Sequence, residues 1–268
     1  MAFTEQQIQR YARHIILPEV GAKGQEKLFR SKVLVVGAGG LGSPNLLYLA
    51  AAGVGTIGVI DDDDVDLSNL QRQIVHPTGR IGEPKVESAA KTLAEINPEV
   101  RVVRHRMRLN VENALGLFAD YDLIADGSDN FPTRFLVNDA SYFAKKPLVT
   151  AAVLRFDGQL ATFRAYTAGN HPCYRCIFRE PPPAGTVPNC AEGGVFGAIA
   201  GVMGTLQATE VVKELLGIGQ SLDGFMLIYD GLGSTFRKIA VKRDKGCPLC
   251  GEAPTLRTLE AAAAMCTV

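Results

Sequence analysis

Eleven residues, "KVLVVGAGGLG" from Lys32 to Gly42, constrain the fold of this chain more than any other stretch. An apolar, β-branched run stops at closely spaced glycines. "SPNLLYLAAAG" follows, with Pro44 in its first turn, so the segment spells strand, tight turn and helix. Such glycines let backbone approach a ligand closely, and the helix N-terminus behind them favours an anion. "TIGVID" is a second strand. Asp61 ends it, 19 residues past Gly42, where a carboxylate can accept hydrogen bonds from ribose hydroxyls. Val33 to Ile60 carries no charge and is long enough for a membrane span, but seven glycines and Pro44 break it into short pieces. The order strand, turn, helix, strand, acid predicts a nucleotide site. Glycine turns also serve packing, and the motif does not specify the nucleotide; NAD is the default.

The rest of the chain extends this unit. Thr4 and Gln7 predict a capping box that opens a polar helix carrying Arg10 and Arg13 and ending near Leu17-Pro18. "GEPKVESAAKTLAEINP" reads as a helix, "VRVVRHRMRL" and "YDLIAD" as strands, residues 132 to 143 as a helix and "PLVTAAV" as a strand. Past Arg155, "DGQLATFRAY", "GFMLIYDG" and "STFRKIAVK" read as antiparallel strands. Between the first two lie a Pro-rich loop and a Gly-punctuated helix, without charge before Glu210, expected to be buried against the sheet or at an interface.

The expected fold is α/β: a Rossmann-like, mainly parallel sheet with helices on both faces, extended by antiparallel strands. A single domain is expected over residues 1–250, with a helical arm (1–30), a nucleotide-binding half (31–155), and a crossover loop, strands and cysteine site (156–250). Residues 251–268 read as a loosely attached tail. With 28 basic and 28 acidic residues the chain lacks a bulk electrostatic footprint for nucleic acid. The N-terminus, "MAFTEQQIQRYARH", has acid and amide residues where a signal peptide needs an apolar core, which predicts a cytoplasmic protein without a membrane partner.

The insert after Asp61 changes the expected ligand. "DDDVDLSNLQRQ" and "HPTGRIGEPK" place Asn69, Arg72, Gln73 and Lys85 in or beside one crossover connection. A dinucleotide takes its phosphate contacts mainly from the glycine turn, so added cations point to a triphosphate whose charge needs neutralising during attack. Asp126, Asp129 and Asn130 follow a further strand at its carboxyl end, where a carboxylate can hold Mg²⁺. The bland alternatives are a helix N-cap for Asp129 or Asn130 and a solvated surface for the cations.

Two C-x-x-C pairs, Cys173/Cys176 and Cys247/Cys250, are separated by 70 residues. They can supply four thiolates to a closed, structural Zn²⁺ site; redox-active or buried thiols are the alternative. Cys190 stands alone in the Pro-rich loop, either an ordinary loop cysteine or a nucleophile carried to an acyl group. Cys266 reads as incidental.

Taken together, "RYARHIILPEVG", "GAGGLG", "DLSNLQRQ", "GEPKVESA", "DGSDN", "PCYRC" and "CPLCG" resemble, in order, the MoeB/ThiF/HesA family of adenylyltransferases, relatives of ubiquitin-activating enzymes, with the closer likeness to the MoeB branch. The resemblance covers nearly the whole chain. Residues after about Gly251 lie outside it and are too few for the rhodanese domain that some relatives append. It implies that the C-terminal glycine carboxylate of a ubiquitin-like sulfur carrier (MoaD/ThiS type) attacks the α-phosphate of Mg·ATP, giving an acyl-adenylate and pyrophosphate. Gly40 and Asp61 match the family's adenosine and ribose contacts; Asn69, Arg72, Gln73 and Lys85 match its triphosphate contacts. Asp129 matches the Mg²⁺-associated aspartate, with Asn130 beside it. Arg13 matches an arginine that reaches the neighbouring subunit's ATP, which implies a homodimer; read without the resemblance it is a solvated helix arginine. Cys190 falls where relatives carry a cysteine able to capture the activated carrier, and a separate protein would donate the sulfur. The pathway, whether molybdopterin, thiamin or tRNA thiolation, stays open. An NAD-dependent oxidoreductase and a non-catalytic activating-enzyme-like partner are the competing readings.

Overall fold

The computed structural model describes residues 3–183, 186 and 193–264. Its strands are β1 (Lys32–Val36), β2 (Thr56–Ile60), β3 (Arg101–His105), β4 (Leu123–Asp126), β5 (Leu148–Leu154), β6 (Asp157–Phe163), β7 (Phe225–Asp230) and β8 (Thr235–Ala240). They form one sheet in the order β3-β2-β1-β4-β5-β6-β7-β8. The first five strands in that order run parallel, and β6 to β8 pair antiparallel. This is the doubly wound sheet with antiparallel extension expected from the alternation of elements. No helix of the described residues is long and apolar enough to cross a membrane.

Helices cover both faces because parallel strands must be buried on both. On one face α3 (Gly42–Ala52), α4 (Lys85–Ile96) and α7 (Gly197–Leu216) pack Leu46, Leu49, Leu93, Met203 and Val211 onto Val33, Val35, Ile57 and Val149. On the other, α5 (Val111–Ala119) and α6 (Phe131–Phe143) pack Phe118, Phe135 and Val137 onto Leu34, Ile124 and Leu148. The Gly-punctuated helix read from the sequence is α7, which carries charge only from Glu210 onward and is buried against the sheet and α3 as expected.

Near the amino ends of β1 and β2, α1 (Glu5–Ile15) opens with the expected Thr4/Gln7 capping box and packs on α2 (Gly21–Arg30). Tyr11 of α1 anchors it by accepting a hydrogen bond from Asn97 Nδ2 and packing edge-on against Phe29. α8 (Leu259–Ala264) corrects the reading of a loose tail: Leu256, Leu259 and Ala262 are buried, and α8 packs on α5 and α6.

Register decides where the site forms. Val36 pairs with Ile60 on one side and Asp126 on the other, and Ile60 pairs with His105. Gly37, Asp61 and Gly127 therefore leave the sheet side by side at its carboxyl edge, with residues 107–109 just beyond. That row of strand ends is where open α/β sheets bind ligands.

Candidate active site and metal centre

A cleft of about 280 Å³ opens at this edge. The glycine turn is its floor. Gly37 has φ +90°, and a Cβ on Gly42 would lie 1.9 Å from the Gly37 carbonyl oxygen, so the strand-to-helix turn requires glycine at both positions. Asp61 Oδ2 accepts from Ala38 N (2.8 Å) and Oδ1 from Asp63 N (2.9 Å), which aims the carboxylate across the turn. Burial pushes the Asp61 carboxyl above its ordinary range, opposed by Lys85 and these two N–H donors.

The polar insert folds as a self-supporting turn. Asp66 caps the short 3₁₀ segment Leu67–Asn69 through Ser68 N, and the Asn69 carbonyl accepts from Arg72 N and Gln73 N. Asn69 Oδ1 then accepts from both Arg72 Nη2 and Gln73 Nε2 at 3.1 Å, so one amide oxygen sets two side chains at the cleft wall. Arg72 packs over Gly40, whose added Cβ would sit 3.3 Å from Arg72 Cγ.

Lys85 enters from the opposite side. Its N–H bonds the Asp63 carbonyl, and its ammonium lies 2.6 Å from Asp63 Oδ2. Lys85 is 5% exposed. It occupies the first turn of α4, the positive end of a helix dipole, where a cation is disfavoured. A phosphate at that helix end reverses the sign of the interaction.

Asp129 is exposed at the cleft, and Asn130 beside it caps α6 by accepting from Thr133 N at 2.9 Å. The bland N-cap reading therefore holds for the Asn130 oxygen, although the residue also lines the cleft. Asp126 has no free oxygen to offer a metal: buried, it spends Oδ1 on Ser128 N (2.9 Å) and Oδ2 on Thr150 Oγ1 (2.8 Å). Arg13 is exposed on α1, away from this cleft. α3 starts at the glycine turn and ends at Gly53 against Tyr11, so its 11 residues put α1 about 16 Å from the turn. Cys190 and Cys266 lie outside the described residues.

The cleft also contains groups that the sequence reading passed over. Met107, Arg108 and Leu109 follow β3 at the Asp61 end, and Val195 and Ala200 come from the start of α7. Beneath the turn, buried His76 bonds the Ala38 carbonyl through Nε2 (2.9 Å) and Ser88 Oγ through Nδ1 (2.9 Å). The carbonyl can only accept, so Nε2 carries the proton and Nδ1 accepts from the serine. Burial pushes His76 below its ordinary range; the Ala38 bond resists, and Lys85 and Arg80 add to the shift. A folded-state pKa below the unfolded value of about 6.5 makes the unfolded chain bind more protons as pH falls through that value. The stability held above pH of about 6.5 is accordingly lost below it, down to the folded-state pKa. Thermal unfolding followed across this range should show the midpoint falling on acidification, and His76→Gln should flatten that dependence.

The two C-x-x-C pairs converge. Sγ separations are 3.9 Å for Cys173–Cys176, 3.6 Å for Cys173–Cys247 and 3.4 Å for Cys176–Cys250, with all four sulfurs within 4.8 Å of one another. Thiolates bound at 2.3 Å to one tetrahedral Zn²⁺ would lie about 3.8 Å apart, so the cluster fits a four-thiolate metal. Mutual contact pulls the Cys176 and Cys247 thiols below their ordinary range and pushes Cys173 and Cys250 above it. Leu249, Leu256 and Ala262 close the cluster from outside.

α6 fixes the first knuckle. Arg175, between the first two cysteines, is 0% exposed and pairs with Asp139, 1% exposed, through Nε (2.9 Å) and Nη2 (2.7 Å). It also donates to the Ala262 carbonyl of α8 and stacks over Phe135 at 4.7 Å. Neighbouring Tyr174 N donates to Asn138 Oδ1.

The glycine turn, Asp61, two cations and the exposed Asp129 share one sheet edge, the layout of a nucleotide site in an open α/β sheet, and the four cysteines cluster apart from it. The ThiF family model matches residues 11–249, and the chain belongs to that family. It is 52% identical over 268 residues to a sulfur carrier protein adenylyltransferase of Thermus thermophilus, covering 99% of each chain. It is 48% identical over 260 residues to the Sus scrofa adenylyltransferase and sulfurtransferase MOCS3, covering 97% of this chain and 56% of that one. Among solved structures, E. coli MccB superposes with a TM-score of 0.80 at 22% identity, covering 94% of this chain and 75% of that one, a likeness of fold.

Proposed function

We propose that this protein adenylates the C-terminal glycine of a ubiquitin-like sulfur carrier at the expense of ATP. The observation that carries the reading is the convergence of Arg72, Lys85 and Asp129 on the cleft floored by Gly37–Gly42 and Asp61. A dinucleotide site has no need of two cations beyond its glycine turn, whereas a triphosphate does. The Thermus thermophilus relative, matched over its whole length, bears the name of this activity.

The residues divide the work. Asp61 takes the ribose hydroxyls, and the turn with the α3 N-terminus cradles phosphate. Arg72 and Lys85, with the amides of Asn69 and Gln73, hold the β- and γ-phosphates in line and stabilise the departing pyrophosphate. Asp129, with Asn130 beside it, would hold Mg²⁺, which lowers the negative charge of the phosphates. The attacking carboxylate is already ionised near neutral pH, so no general base is needed. Its oxygen bonds to the α-phosphorus as the bond to the β-phosphate oxygen breaks, which leaves an acyl-adenylate for a separate sulfur donor to attack.

Cys173, Cys176, Cys247 and Cys250 would bind Zn²⁺ as a structural clip. Arg13, too far from its own cleft, would act in that of a second copy, and Ile16 and Leu17 expose apolar surface on the same arm. Cys190 would be the site of acyl capture if one exists. The decisive measurement is exchange of labelled pyrophosphate into ATP, expected only when a small carrier ending in two glycines is added. Absence of exchange with every such carrier, in the presence of Mg²⁺, would refute the reading.

A further inference from the structure

Seven buried side-chain nitrogen or oxygen atoms of the described residues have no hydrogen-bond partner, and two of them, Gln73 Oε1 and Ser128 Oγ, belong to residues lining the nucleotide cleft. Gln73 belongs to the polar insert that follows Asp61. Ser128 does not: nothing in "DGSDN" sets its hydroxyl apart from any other loop serine.

The surroundings of Ser128 leave its hydroxyl without an internal role. The residue is 8% exposed. Its N–H donates to Asp126 Oδ1 at 2.9 Å, and its carbonyl accepts from the buried guanidinium of Arg134, which also donates to the Ala151 carbonyl at 2.8 Å. The main chain is thus held from both sides and only Oγ is free. A buried hydroxyl left unpaired costs about 1–3 kcal/mol, a cost that a ligand accepting its proton removes.

Position names the ligand atom. Ser128 N lies 3.7 Å from where a Cβ on Gly37 would stand, so Ser128 flanks the first glycine of the turn from the β4 side, while Asp61 flanks it from the β2 side. The two are about two strand spacings, ~10 Å, apart with the turn between them. A nucleotide whose ribose rests on Asp61 and whose phosphates cross the turn presents first the phosphate attached to the ribose. We infer that Ser128 Oγ donates a hydrogen bond to a non-bridging oxygen of the nucleotide's α-phosphate, the atom group that the acyl carboxylate attacks. This rests on the adenylation reading for its chemistry but not for its test.

The test is equilibrium binding of Mg·ATP and of the two diastereomers of Mg·ATP α-phosphorothioate to the wild-type chain and to Ser128→Ala, with thermal unfolding of each. A hydrogen bond to a charged acceptor is worth about 10- to 100-fold in affinity. Ser128→Ala should lose that factor for ATP, should lose less for one of the two diastereomers, and should melt no lower than wild type because it removes an orphaned hydroxyl. Ser128→Cys, a weaker donor of similar shape, should fall between. Unchanged ATP affinity, an equal penalty for all three nucleotides, or a lowered melting point would each overturn the assignment. Because binding needs no carrier, a failure of carrier-dependent exchange in the wild type would count against the proposed function and leave this result standing.

Discussion

Lys85→Met should reduce carrier-dependent pyrophosphate exchange by about 10²- to 10³-fold while leaving the fold intact. The magnitude is that of removing one preorganised donor from a site where charge develops in the transition state. Two features make the lysine a clean target. Its buried stem is nearly matched by methionine, so packing is conserved. Its ion-pair partner Asp63 has a side chain 67% exposed, so losing that pair strands a solvated carboxylate, and Asp61, which also loses the lysine's charge, keeps its two N–H donors, so stability should fall by no more than about 1–2 kcal/mol. Steady-state exchange at varied ATP separates a loss in turnover from weaker binding, and thermal unfolding checks the fold. Exchange retained within a factor of about ten would mean that Lys85 only balances Asp63, since one charge-assisted contact is worth at least about 1.5 kcal/mol.

What the sequence could show of this site follows from how local each signal is. The glycine turn, Asp61 and the "DLSNLQRQ" turn are built from contacts within a few residues: Asp66 caps its own 3₁₀ segment and Asn69 orders Arg72 and Gln73. Their spacing carries their geometry, so both fold and cleft were legible there. α5 is hard to read from the sequence although its signal is present, because the reciprocal Asn110/Asn113 cap uses asparagine where Glu or Gln is usual at the third position. α2 hid behind Gly21 and Gly24, which weaken helix propensity; its place is fixed by burial of Gln25 and Leu28. The start of α7 at the cleft, the docking of α8 and the orphaned Ser128 hydroxyl depend on contacts far apart in sequence. No periodicity marks them. Asp126 shows the opposite failure: it has the residue type and strand-end position of a metal ligand, yet Ser128, two residues on, and Thr150, on the neighbouring strand, consume its oxygens.

Asp139→Ala should cost about 3–5 kcal/mol of stability and release metal from the cysteine cluster. Removing the carboxylate takes from the Arg175 guanidinium, 0% exposed, the charge it pairs with in Asp139; breaking a buried pair by removing one partner costs about that much. The loss should not stay local, because Arg175 joins the Cys173/Cys176 knuckle to α6 and, through the Ala262 carbonyl, to α8. Denaturant unfolding gives the stability, and metal analysis after gel filtration gives the occupancy. The double variant Asp139→Leu with Arg175→Met separates charge from packing. If the single-variant loss is that of a stranded cation, replacing both partners with apolar side chains should recover most of it, as buried pairs replaced whole are often neutral or better. A double variant as unstable as Asp139→Ala would place the loss instead in the hydrogen bonds that hold the knuckle's backbone, where no apolar pair can substitute.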